Sequence, residues 1–276
     1  MKILLSCLII LLTVLLGAAV RAEERLVLYD NFHSEFLDET KWSGNQTISG
    51  ATILEYVREI RRDGLTLSNR AFGNRSSDSG TSVATIRLCS ASFPGEVTAS
   101  RVSIKVEDVE VTGCPSNSTP TQAKASLVGF FFNTAGSPYN GVQNNVLGTV
   151  EIVRLSNSAD KEHVLEVRGG FVHCTDPDCL TVDVANAKKL GNVKLGHWAT
   201  VQVKWDRDNE GFIFKLDWKP PQFISYSSYQ WEIYPPSART ICLQSQDRIA
   251  NCTAARQMGL VDADFDYIFV NEGAVP

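Results

Sequence analysis

Apolar residues in this chain return at every second position, segment after segment, and amphipathic helical spacing is hard to find. Val201, Val203 and Trp205 alternate with Gln202 and Lys204, and Phe212, Phe214 and Leu216 repeat the pattern further on, after the turn. A period of two is that of a strand with one buried face. With turn-forming residues at 206–211 between them, the two stretches read as a β-hairpin with one wet face. The same reading places strands at 26–29, 53–59, 65–68, 83–88, 101–111, 124–133, 146–155, 164–168, 239–243 and 264–270. Their connections carry Gly, Pro, Asn and Ser, as at 113–120 and 134–141. Short helical turns are expected only near 185–190 and 254–259, and 219–236 reads as a long Pro-rich loop. Short strands spread evenly, with no linker and no fixed-period repeat, predict an all-β fold. The expected architecture is one antiparallel two-sheet jelly-roll sandwich over residues 23–276.

Residues 3–20 are apolar apart from Ser6, Cys7, Thr13 and Gly17, and the chain turns acidic at Glu23 and Glu24. This reads as a signal peptide over residues 1–22, cleaved after Ala22. The alternative is an uncleaved anchor, since a run of this length just spans a bilayer. No later segment has such a run, so no membrane span is expected in the mature chain. A secreted, periplasmic or extracellular location follows. Beyond the leader stand six cysteines, Cys89, Cys114, Cys174, Cys179, Cys242 and Cys252. An even number in an exported chain implies disulfides. Many pairings are open, and proximity along the chain favours Cys89 with Cys114, Cys174 with Cys179, and Cys242 with Cys252. A zinc site at His173, Cys174 and Cys179 with neighbouring aspartates is the rival reading. The Pro-containing turn and an oxidising compartment suit a small disulfide loop better.

An apolar content of 43% with 21% charged residues excludes disordered, collagen-like and multi-span membrane classes. The formal net charge of −5, without a basic stripe, excludes nucleic acid as the natural partner. Oligomeric state is left open. Four Asn-x-Ser/Thr triplets begin at Asn45, Asn74, Asn117 and Asn251 and would matter only in a glycosylating host.

Three stretches together resemble the concanavalin A-like lectin/glucanase superfamily, most closely its family-16 glycoside hydrolase branch. They are Asp30, Asn31 and Phe32 with Phe36, Asp38, Lys41 and Trp42; residues 57–67, including Asp63, Gly64 and Leu65; and Phe265 to Val270 near the end. The resemblance implies a structural calcium held by carbonyls near Asp30 and Gly64 and by the carboxylate of Asp266. Hard oxygen donors suit that ion. It also implies a catalytic strand carrying several carboxylates, and here the matching strand at 148–155 offers Thr149, Glu151 and Val153 on one face. A retaining glycosidase needs two carboxylates, so this hydrolysis is expected to be absent, with Glu151 either a strand residue or a ligand contact.

His33, His163, His173 and His197 lie apart and outside any hydrolase or zincin motif. A lyase would need a Tyr or His base beside a uronate-neutralising group, for which His163, Arg168 and Tyr139 are candidates by composition only. Tyr226, Tyr229, Trp231 and Tyr234 crowd the Pro-rich loop. They either stack on sugar or cover an open end of the core. The leading expectation is an exported non-catalytic sandwich that binds a polysaccharide, a cell-surface glycan or another extracellular component, with Glu151, Asn133, Tyr139 and Trp231 as candidate glycan contacts. A polysaccharide-degrading enzyme with a non-standard site and a protein-interaction module are the alternatives.

Overall fold

Alternation along each strand decides which side chains meet between two stacked sheets. The computed structural model describes residues 24–61, 64–179 and 181–275. The leader expected at 1–22 and Asp63 of the motif quoted above lie outside them. One antiparallel sheet contains β1 (Leu26–Asp30), β3 (Thr52–Arg61), β4 (Gly64–Phe72), β6 (Ala99–Val111), β11 (Ala199–Asp206), β12 (Gly211–Leu216), β13 (Gln222–Ser225) and β15 (Met258–Asn271). The other contains β2 (Trp42–Ser49), β5 (Thr81–Ser90), β7 (Gln122–Asn133), β8 (Asn145–Leu155), β9 (Val164–Cys174), β10 (Val182–Lys194) and β14 (Ile241–Ala250). Strand order in the eight-stranded sheet is β13-β12-β11-β6-β15-β4-β3, with β1 pairing β15; in the seven-stranded sheet it is β10-β9-β8-β7-β14-β5-β2. The all-β, antiparallel two-sheet jelly-roll sandwich expected from periodicity is the fold observed.

The hairpin of β11 and β12 forms as expected, with Val201 opposite Leu216 and Val203 opposite Phe214. Its inward side chains meet Phe131, Phe132 and Phe171 of the other sheet, and Phe212 lies 5.2 Å from Phe131 ring to ring. A register shift in β7 between Phe130 and Phe132 lets both Phe131 and Phe132 enter this core. Each fully buried ring contributes about 1.5–3 kcal/mol.

Several expectations are corrected. Residues 185–190 lie in β10, an edge strand whose mostly exposed side chains hide the period of two. At 254–259 there is no helix: a bend leads into β15. The loop at 219–236 contains β13 and a short 3-10 turn, Ser227–Tyr229. β2 went unread because all but one of its side chains escape full burial. The motif at 57–67 runs from β3 into β4.

Of the disulfides, Cys174–Cys179 is as expected. The other two pairs join Cys89 to Cys242 and Cys114 to Cys252, across sequence separations of 153 and 138. Proximity along the chain misled here because β5 and β14 are neighbours in the sheet, with Cys89 directly opposite Cys242. The sulfurs are consumed, which removes the zinc reading at Cys174 and Cys179. Of the glycosylation triplets, Asn117 and Asn251 are buried and donate their amides to backbone oxygens.

Candidate functional site

The outer face of the seven-stranded sheet carries a groove of about 350 Å³. Because paired residues point to the same side, register defines its floor. One row crosses all seven strands. Asn45 of β2 stands opposite Arg87 of β5, and Arg87 opposite Gln244 of β14. Gln244 faces Ser126 of β7, and Ser126 faces Glu151 of β8. Arg168 of β9 and Lys189 of β10 complete it. Every member is polar or charged, while the intervening residues Ala125, Leu127, Val150 and Ile152 are buried in the core. Towards one end the floor becomes apolar, with Val128, Phe130, Leu147 and Val172 around the Cys89–Cys242 bridge.

Glu151 is the one carboxylate among the lining residues, and Lys124 donates to it. Arg168 Nε donates to Glu166 at 2.8 Å, which holds the Glu166 carboxyl below its ordinary range, with Lys189 adding to the effect. Arg87 differs. Its Nε donates to Gln244 Oε1 at 2.8 Å, and no carboxylate among the described residues lies within ion-pair distance. Burial lowers its pKa, opposed at longer range by Asp178. Arg248 also lines the groove, is exposed, and has no carboxylate partner among the described residues. The Ser126 hydroxyl is buried without a hydrogen-bond partner.

The candidates read from sequence are not brought together. Asn133 is buried and spends its amide on Gln143 O and Asn145 Oδ1, at 2.9 and 2.8 Å. Tyr139 donates its hydroxyl to Pro235 O at 2.7 Å. Trp231 stacks on Tyr229, centroids 4.7 Å apart, and packs against the core beside Tyr226 and His173. Of the loop aromatics, Tyr226 and Trp231 thus cover the end of the sandwich. Among the lyase candidates, Arg168 lines the groove, and His163 and Tyr139 do not. Sequence reasoning passed over Arg87, Lys124, Gln244 and Arg248. Their one signal is polarity at alternate positions within otherwise apolar strands, which becomes a site only when the three strands β5, β7 and β14 are laid side by side.

The residues of the expected calcium site lie in the eight-stranded sheet and the segment leading from it. A Cβ built on Gly64 would sit 3.5 Å from Phe265 O and 3.8 Å from Arg61 O, so two carbonyl oxygens flank that glycine. Asp266 follows Phe265, accepts from Tyr267 N at 2.7 Å and has His33 Nε2 at 3.8 Å. The Asp30 carboxylate is taken by Trp42 Nε1 and Phe32 N, at 2.7 and 3.0 Å. Carbonyls and the Asp266 carboxylate are hard donors that fit calcium; the Asp30 side chain is already engaged.

No family model matches the chain, and no curated protein matches it. Among solved structures it is similar to glucanase sandwiches. One is the catalytic domain of an endo-1,3-beta-glucanase (laminarinase) from Thermotoga petrophila, 11% identical, covering 91% of this chain and 100% of that one, with a TM-score of 0.47. Another is an endo-beta-1,3-glucanase from Pyrococcus furiosus, 9% identical, with 91% and 95% covered and a TM-score of 0.47. The chain is also similar to an uncharacterized protein from Mycobacterium paratuberculosis, 15% identical, with 89% and 99% covered and a TM-score of 0.46.

Proposed function

We propose that the protein is an exported β-sandwich that binds a polysaccharide in the groove of its seven-stranded sheet without hydrolysing it. The observation that carries this reading is the unbroken polar row from Asn45 to Lys189, flanked by an apolar strip at Phe130 and Leu147. Sugars present hydroxyls at their edges and C–H groups on their faces, and a floor with both characters addresses both. Retaining hydrolysis needs two carboxylates about 5–5.5 Å apart. The groove lining offers Glu151 alone, and Lys124 holds it. Export is supported by the three disulfides, which persist in oxidising compartments. Among the described residues, no helix is long and apolar enough to cross a membrane.

The test passes the mature protein over immobilised polysaccharides and assays retention together with newly formed reducing or unsaturated ends. Retention without new ends is expected. New ends would overturn the non-catalytic part of the reading, and no retention on any polymer would overturn glycan binding. We further propose that calcium, when bound, is held by Asp266 and the backbone oxygens flanking Gly64, where it would tie β15 to the β3–β4 hairpin.

A further inference from the structure

Charge in the groove is unbalanced in one direction. Arg87, Lys124, Arg168 and Arg248 line it against the single carboxylate of Glu151, on a chain whose overall charge is −5. Two of these cations are satisfied within the protein, Lys124 by Glu151 and Arg168 by Glu166. Arg87 and Arg248 have no carboxylate within ion-pair distance among the described residues. Both point out of the sheet on the groove side, Arg87 opposite Gln244 and Arg248 opposite Val83.

Resting on the glycan-binding reading above, we infer that the groove selects an acidic polysaccharide, whose carboxylate or sulfate group is received by the guanidinium of Arg87, with Arg248 taking a second anionic group along the same polymer. Arg87 is half-buried with no paired carboxylate among the described residues, and an anionic ligand group offsets the cost of partly desolvating its charge where a neutral sugar does not. The Nε bond to Gln244 fixes the plane of the Arg87 guanidinium, leaving its terminal nitrogens for a planar oxyanion, which they suit in bidentate fashion. Between Gln244 and Glu151 in the row stands Ser126, a buried residue whose hydroxyl has no hydrogen-bond partner. Val83 lies four residues along β5 from Arg87, so the two arginines are separated by roughly 13 Å along the strand direction. A free anion cannot bridge that distance. A polymer with repeated charges can.

The experiment measures affinity of the mature protein for two acidic polymers, a polyuronate and a sulfated galactan, each beside its carboxyl-reduced or desulfated counterpart. A neutral β-glucan is included in the same series. At least one acidic polymer is expected to bind about tenfold or more tightly than its neutralised form, with affinity falling as salt screens the contact. Arg87→Gln should then cost about ten- to hundredfold, Arg87→Lys should recover part of the loss, and Arg248→Gln, at an exposed position, should cost less than Arg87→Gln. Lys105→Gln, on the opposite sheet, should change nothing in binding. Which acidic polymer binds distinguishes carboxylate from sulfate. Equal binding of an acidic polymer and its neutralised form, or unchanged affinity in both Arg87→Gln and Arg248→Gln, would overturn the acidic selectivity while leaving glycan binding in place. Failure to bind any of the polymers would overturn both.

Discussion

The outer faces of the two sheets are built from the same alternation, yet they handle charge in opposite ways. On the eight-stranded sheet, Lys105 sits between Asp264 and Glu107, at 3.2 and 2.5 Å, and Thr66 donates to Asp264 at 2.7 Å. Arg70 faces Glu55 at 3.7 Å. Acids dominate there: burial, and then Asp264, push the Asp262 carboxyl above its ordinary range. On the seven-stranded sheet the groove lining is cationic in excess, and among the described residues no carboxylate pairs with Arg87. A strand gives a side chain a face but no partner. The partner comes from whichever strand the topology sets beside it, which pairs Lys105 and Arg70 with acids on one face and leaves Arg87 and Arg248 without a paired carboxylate among the described residues on the other.

The largest test of this contrast is the covalent tie under the groove. Cys89 and Cys242 fasten β5 to β14, the strands that carry Arg87, Gln244 and Arg248. Replacing both cysteines with alanine is expected to cost about 2–5 kcal/mol of stability in urea titration. The loss should weaken the groove's ligand binding more than it disturbs the opposite face. A double variant as stable as the parent would show that strand pairing alone holds the groove.

A second test concerns Asp247, which lies on β14 and faces the core between the sheets. Asn69 Nδ2 donates to its Oδ2 at 3.0 Å, while Oδ1 of Asp247 and Oδ1 of Asn69 are both buried without partners. Burial raises the Asp247 carboxyl well above its ordinary range. The folded state therefore keeps a proton that the unfolded chain releases near about pH 4. This group's contribution to stability is full below that pH and is lost as pH rises through the folded-state value. Asp247→Asn, which keeps a donor at any pH, should raise stability by about 1–3 kcal/mol at pH 8 and flatten the decline. Denaturant midpoints from pH 4 to pH 9 would show it. An unchanged slope would mean that the ionised acid is tolerated in the core.

The smallest effect is expected on the acidic sheet. Calcium at tenfold its dissociation constant should stabilise the protein by about 1.4 kcal/mol, seen as a rise in melting temperature that Asp266→Asn removes. An equal rise in that variant would place the cation elsewhere.

How much of this was legible beforehand differs from element to element. Val201, Val203, Phe212 and Phe214 announce their hairpin because a half-buried strand prints its buried face at every second residue. β2 and β10 were illegible for the same reason in reverse: edge strands bury little, so their side chains carry no alternation. Glu151 was recognised as a lone carboxylate on its strand, and the structure sets it in the groove. Arg87 was not recognised, because nothing in residues 83–88 distinguishes an arginine over a groove from one in open solvent. Trp231 and Asn133 looked like ligand contacts in a polar loop and a strand end. The structure stacks Trp231 on Tyr229 and hydrogen-bonds Asn133 to Asn145, and neither residue lines the groove.

The sequence by itself determined that the chain forms strands, that these stack with their apolar faces inward, and that the cysteines after residue 22 are even in number. These are properties of local period and composition, which need no knowledge of neighbours. Only the tertiary structure decided that Cys89 meets Cys242 rather than Cys114, and that Arg87, Gln244, Ser126, Glu151 and Arg168 form one row. Such contacts depend on strand order, and strand order is fixed by how the whole apolar surface is best buried between two sheets. No segment carries that information alone.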